Sequence, residues 1–222
     1  MRKTDGSAPI RLGEGVGSLS PDGSRVAIAL PGTKAAAKVV PIGAGEPVNL
    51  PTEGMEAAFM AWYPDNRTLL FSGRSPGRPW RFLRIDTATG ANREIAFEGA
   101  ALVQAVSPDS RRVLARRTDG TWALYPIDGG GGVPVPGIPS EDFPLEFADD
   151  GAVLAATVET IPVRLYRLNL ATGEKTTLKE FAPPDKAGVP YVRDVLVSGD
   201  GSSYAYQYRR WLSSIFVATG LK

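Results

Sequence analysis

The 222-residue sequence predicts an all-β fold of about five stacked, four-stranded units, on three observations. A Ser-Pro-Asp-Gly turn or a degraded copy of it recurs at Ser20–Gly23, Tyr63–Asn66, Ser107–Ser110, Ala148–Gly151 and Ser198–Gly201. Its aspartates Asp22, Asp65, Asp109, Asp150 and Asp200 are 43, 44, 41 and 50 residues apart, and a repeat of that length marks a stacked architecture. Apolar runs of strand length flank the turns, while helix signals are nearly missing. The one helix-friendly stretch, Thr33–Lys38, is about two turns long and lies inside a hairpin, so it reads as strand or loop. Four strands in roughly 40–45 residues is the make-up of a β-propeller blade.

Each repeat opens with a strand entering the turn, as in Phe59–Trp62, Leu102–Val106 and Val192–Val197. In the turn, Pro presets φ, Asp bonds nearby backbone, and Gly23, Gly151 and Gly201 take the left-handed position. Asn66 is a tolerable substitute there and Ser110 a poorer one. Asp22, Asp65, Asp109, Asp150 and Asp200 are therefore assigned to structure, not to catalysis. The second strand is apolar on nearly every residue (Val26–Leu30, Leu69–Phe71, Val113–Ala115, Val153–Ala156). A strand with one wet face would alternate, so these must be covered on both sides. The third strand alternates and ends in another turn (Val39–Ile42, Arg81–Asp86, Leu124–Asp128, Arg164–Leu170). The fourth is short and polar (Ala91–Ile95, Lys175–Leu178), and its charges guard an outer edge.

The expected organisation is a single domain, 1–222, with repeats at about 13–55, 56–99, 100–143, 144–188 and 189–222. Residues 1–12 start in mid-blade, and 9–12 would complete the last blade as a closing strand. The alternative is an open arc of a larger propeller, which would bare apolar faces at both ends. A closed ring implies a monomer.

Hydrophobic residues make up 43% of the chain, enough for a core, and 25 basic residues against 24 acidic ones leave a net charge of +1. Such a balance argues against nucleic acid as a partner. The sequence holds neither Cys nor His. That removes disulfides, thiol nucleophiles, thiolate or imidazole metal sites and a Ser-His-Asp triad. Met1-Arg2-Lys3 is followed by Thr4-Asp5-Gly6-Ser7 rather than an apolar stretch, and no run reaches the ~18–20 apolar residues of a membrane span. As written, the chain is expected to be cytoplasmic and not to insert in a membrane. An extracytoplasmic place would follow from a membrane-anchored parent.

The succession of strand, Ser-Pro-Asp-Gly turn, apolar strand and Asp-x-x-Thr-Gly-like turn (Asp86–Gly90) resembles the TolB-type bacterial β-propellers. The segment Ser202–Arg210, with Leu212–Val217 and Gly220–Lys222, resembles the closing blade of propellers C-terminal to acidobacterial-type serine/threonine kinases. No kinase motif is present, so this resemblance implies a non-catalytic binding or sensor part of a bacterial signalling protein, without the enzyme. The propeller of prolyl-oligopeptidase-like hydrolases is similar too, which implies an accessory role beside an absent hydrolase domain. A stand-alone TolB-like periplasmic binding protein is the third reading.

Gly129–Gly132 and the Gly13–Gly17 segment invite a phosphate-loop reading, but a strand follows each where a helix N-terminus is needed, so they are read as turn and linker. The paired carboxylates Glu141-Asp142 and Asp149-Asp150 lack the spacing of a two-carboxylate hydrolase or a calcium loop. No catalytic residue, metal or cofactor is expected. The interaction candidates are Arg74, Arg78 and Trp80 in one long loop, and Arg209, Arg210 and Trp211 beside Tyr206 and Tyr208, since Arg and Trp are enriched at binding hot spots. The partner would be a protein or small ligand at one propeller face. Trp62, Trp80 and Trp122 also suit packing between blades, and Phe181–Gly188 reads as an exposed insertion.

Overall fold

The computed structural model describes residues 11–29, 37–52 and 54–212. Its elements are all strands, and four complete four-stranded antiparallel sheets follow one another along the chain. The first blade comprises β1 (Val16–Leu19), β2 (Arg25–Ala29), β3 (Lys38–Pro41) and β4 (Val48–Asn49), and the second β5 (Glu56–Trp62), β6 (Thr68–Arg74), β7 (Arg81–Asp86) and β8 (Asn92–Ile95). After β9 (Phe97–Glu98), the third blade holds β10 (Ala100–Val106), β11 (Arg112–Arg117) and β12 (Trp122–Pro126). It is completed by β14 (Val133–Pro134), which follows the short β13 (Gly130–Gly131). The fourth comprises β15 (Asp142–Phe147), β16 (Val153–Thr157), β17 (Val163–Leu168) and β18 (Lys175–Phe181). Where about five complete blades are expected, the last repeat contributes the hairpin β19 (Tyr191–Val197) and β20 (Tyr204–Arg209). Its expected third strand lies in 213–217, outside the described residues, as does most of Thr33–Lys38.

The first strands β1, β5, β10, β15 and β19 stand side by side in that order, so the arrangement is a β-propeller. Its core is four apolar layers, one between each pair of successive repeats. The uninterrupted apolar second strands find their reason here. Leu69 and Phe71 of β6 enter the layer shared with the first blade, while Leu70 enters the layer shared with the third. Val113 and Ala115 of β11 face backwards and Leu114 forwards in the same way. Every second strand between two neighbours is thus dry on both sides, at about 25 cal/mol per Å² of apolar surface buried. Edge-to-face contacts of Phe97 with Phe82 and Tyr125, with ring centres 5.2 and 5.4 Å apart, complete the layer between the second and third blades.

Among the described residues the outermost repeats share a layer with one neighbour each, and most of the large exposed apolar side chains gather there: Val16, Leu19 and Val48, then Leu196, Trp211 and Leu212. Among the described residues no apolar layer joins the fifth repeat to the first. Of the proposed closing strand, Pro9 and Ile10 lie outside the described residues, and Arg11 and Leu12 belong to no strand. Gly13 crosses the first blade, where a Cβ would stand 3.1 Å from Ile28 Cδ1.

The recurring turns are closed by their aspartates. Ser20 Oγ donates to Asp22 Oδ1 at 2.6 Å, the Ser24 amide donates to the same oxygen at 3.0 Å, and the Arg25 amide donates back to Ser20 Oγ at 3.0 Å. Ser107 with Asp109 and Ser198 with Asp200 repeat the pattern at 2.6 and 2.5 Å. These hydrogen bonds to the charged form hold the carboxyls of Asp22 and Asp200 down at about 2 and lower that of Asp109. Tyr63 replaces the serine in the second copy, and Thr68 takes over, its hydroxyl donating to Asp65 Oδ2 at 2.6 Å. In the fourth copy Ala148 offers no hydroxyl, and Arg167 pairs with Asp150 instead.

The left-handed position of the turn is occupied by Gly23, Gly151 and Gly201, but also by Asn66 at φ 57° and Ser110 at φ 54°. The Asn66 side chain is used, since its Oδ1 accepts the Asp22 amide at 2.8 Å. Ser110→Gly is therefore expected to stabilise the fold by about 1 kcal/mol, raising Tm by roughly 2–4 °C. Asn66→Gly relieves the same strain but removes an acceptor between blades, so thermal melts should show a smaller gain or a loss. Equal gains for both variants would refute the role given to Asn66.

Candidate functional site

Antiparallel meandering puts the two ends of every blade to different uses. One rim carries the Asp turns and the hairpins between third and fourth strands. The opposite rim carries the loops between second and third strands and the connections between blades. Contacts between successive turns align the blades: Asp22 N donates to Asn66 Oδ1, Arg25 donates to the Asn66 carbonyl, and Asp149 N donates to the Gly199 carbonyl at 3.2 Å. Much of the polar equipment on this turn rim is engaged locally, including the Arg67–Asp86 pair at 2.6 Å and Arg93–Asp128 at 2.9 Å.

The sequence candidates all fall on the loop rim. Arg74 ends β6, Arg78 lies in the loop, and Trp80 precedes β7. The Arg74 guanidinium sits 4.6 Å from the centre of the Trp80 ring, and Trp80 is half-buried against the layer between the second and third blades. A turn stiffens the loop, with Gly77 at φ 73° and the Arg78 amide donating to the Ser75 carbonyl at 2.9 Å. Arg209, Arg210 and Trp211 occupy the corresponding end of β20 in the fifth repeat. Arg210 pairs with Asp185 at 3.1 Å and the Trp211 amide donates to the Gly188 carbonyl at 2.7 Å, so the insertion after Phe181 is clipped to the end of this hairpin. Trp211 keeps 63% of its surface exposed. The two groups share a rim but belong to the second and fifth repeats, so they form two patches.

Neighbouring blades echo the Arg–Trp arrangement. Arg116 lies 5.9 Å from the Trp122 ring centre, its cross-strand partner, but donates to the Gly120 carbonyl at 3.3 Å, and Trp122 is buried against Phe143. Trp80 and Trp122 each follow their arginine by six residues, a match hidden in the sequence by a two-residue difference in loop position. Trp62 packs between the first two blades, its Nε1 donating to the Ser18 carbonyl at 2.8 Å.

Three features had weak sequence signals. Tyr204, Tyr206 and Tyr208 form a ladder on one face of β20, with Phe181 stacked 4.9 Å from Tyr204 and 4.7 Å from Tyr206. Their spacing of two was the available clue. Asp142, one of the paired carboxylates, is buried and accepts the Tyr166 hydroxyl at 2.7 Å, with Lys175 at 3.6 Å. Burial first, and then the bond to Asp142, push the Tyr166 hydroxyl far up. This is a clamp within the fourth blade, not a pair of carboxylates facing across a substrate. Tyr125 of β12, two residues out of register with Tyr166 of β17, donates instead to the Glu98 carbonyl at 3.0 Å.

The glycine run is likewise structural. Gly130 donates to the Ala96 carbonyl at 2.7 Å, β13 pairs in parallel with β9, and a Cβ on Gly132 would meet the Tyr125 ring at 2.5 Å. Among the described residues no group of three or more acidic side chains could hold a metal ion, and no helix is long and apolar enough to cross a membrane.

With the blade geometry in view, the solved structures similar to this chain include two TolB proteins. TolB from Acinetobacter baumannii superposes with a TM-score of 0.60 at 15% identity, over 87% of this chain and 53% of that one. A putative TolB from Agrobacterium tumefaciens gives 0.62 at 18% identity, over 87% of this chain and 73% of that one. The fold is a TolB-like β-propeller. No protein-family model and no curated protein sequence matches the chain.

Glu146 on β15 offers a test of the packing around it. One of its oxygens, Oε1, is buried without a hydrogen-bond partner. Burial, with a smaller contribution from Asp149, pushes its carboxyl up to about 7. The folded state therefore binds this proton more tightly than the unfolded state, and stability falls as pH rises from the usual glutamate range through about 7. Glu146→Gln should raise stability at pH 8 by about 1–2 kcal/mol, after discounting for partial exposure, and by much less at pH 5. Denaturant melts at both pH values check this, and an equal shift at each would refute the buried charge.

Proposed function

We propose that this chain is a non-catalytic β-propeller interaction module that receives a protein segment on its loop rim. The observation carrying this reading is the placement of Arg74, Arg78 and Trp80, and of Arg209, Arg210 and Trp211, at the same end of their blades. The opposite rim is largely occupied by its own turn hydrogen bonds. The absence of Cys and His from the sequence further supports a binding role.

Between the finer readings, the likeness to two TolB structures favours a stand-alone TolB-like binding protein. A recognition part of a signalling protein resembling a serine/threonine kinase rests on the C-terminal string, whose residues 213–222 lie outside the described ones. The accessory propeller of a hydrolase rests on repeat similarity alone.

Site-specific photo-crosslinking in cells tests the reading. A photoreactive phenylalanine at Trp80 or Trp211 is expected to yield a discrete protein adduct, while the same probe at Asp22 or Asp109 on the turn rim yields none. Equal adducts from both rims, or none from the loop rim, would sink it.

A further inference from the structure

Arg74 and Arg78 differ from the arginines around them on the loop rim. Arg81 faces Glu94, Arg193 faces Glu159 and Arg210 faces Asp185. Among the described residues neither Arg74 nor Arg78 has an ion pair or a guanidinium hydrogen bond, and both are exposed. Arg209 is also unpaired, but its neighbour Arg210 is committed to Asp185. The second-blade loop therefore holds two free guanidinium groups within five residues of chain.

Their setting is already ordered. The Trp80 ring lies 4.6 Å from the Arg74 guanidinium carbon and takes up one face of the group. A guanidinium held by its face keeps its edge N–H groups for a planar acceptor, and a carboxylate accepts two of them side by side. Pro76, Pro79 and the Ser75–Arg78 turn restrict the loop, so little further ordering is needed on binding. We propose that the Arg74–Trp80 loop docks an acidic, carboxylate-rich stretch of a partner protein. Charge balance points away from a nucleic acid: the chain has a net charge of +1, and much of the rim's remaining arginine is paired, leaving no stripe for a phosphate backbone to follow.

This rests on the reading of the loop rim as an interaction face, and the experiment separates the two. A fluorescein-labelled glutamate peptide of about eight residues is titrated with the full chain by anisotropy, beside glutamine and lysine peptides and a single-stranded oligonucleotide of roughly 12 residues. The glutamate peptide is expected to bind, more weakly as salt is raised, and to lose about tenfold in affinity with Arg74→Ala or Arg78→Ala. Trp80→Ala should weaken it and Trp80→Phe largely restore it, while Arg111→Ala on the turn rim changes nothing. Melting curves of each variant establish that it is folded. No binding of the glutamate peptide, equal binding of the glutamine peptide, tighter binding of the oligonucleotide, or indifference to both arginine substitutions would overturn the proposal. Any of these with the Trp80 photo-adduct intact removes the acidic partner alone, whereas loss of the adducts at both Trp80 and Trp211 removes the loop rim as well.

Discussion

Everything in this fold depends on burying each central strand from both sides. A strand such as Leu69-Leu70-Phe71 cannot be solvated on either face, so a blade is stable only between neighbours. The apolar layers between repeats therefore do more than fill space. They fix the order of the blades, hold the first strands side by side and set every strand end at one rim or the other. Among the described residues, the outer repeats share an apolar layer on one face each and carry most of the bare apolar side chains for the same reason.

Hydrogen bonding divides the labour between the rims. At one end the Ser–Asp turns satisfy their own donors and acceptors and bond to the adjacent turn, so side chains there are used in construction. At the other end the loops between second and third strands differ in length from blade to blade and make fewer turn-to-turn bonds. Arg116 over Trp122 shows the packing use of an arginine–indole contact, with the cation also bonded to Gly120. Arg74 over Trp80 keeps the contact without that bond, which makes the second-blade loop available to something outside the chain.

The features legible in the sequence are those that local chemistry determines. A Ser-Pro-Asp-Gly string states its turn, and a run without alternation states that both faces are covered. Asn66 and Ser110 could be ranked in the left-handed position before any coordinates, because that position penalises a Cβ. Features that depend on which strands become neighbours stayed hidden. Tyr166 and Asp142 are 24 residues apart and meet only through the first and third strands of one blade. Glu146 reads as an ordinary strand glutamate until packing strips the water from one oxygen. The pairing of Arg193 with Glu159 and of Arg210 with Asp185, which leaves Arg74 and Arg78 distinct, likewise needs the folded arrangement.

The parallel pairing of Phe97–Glu98 with Gly130–Gly131 has a mechanical meaning. Most contacts between blades are side-chain layers, which can slide slightly without breaking a bond. At the second and third blades, backbone is stitched to backbone near the outer edge, and the close approach leaves no room for a side chain on Gly129, whose Cβ would stand 2.6 Å from the Ala96 carbonyl oxygen. That joint resists shear through backbone pairing as well as side-chain packing. The second and third blades should thus resist sliding past each other more than side-chain layers alone would allow.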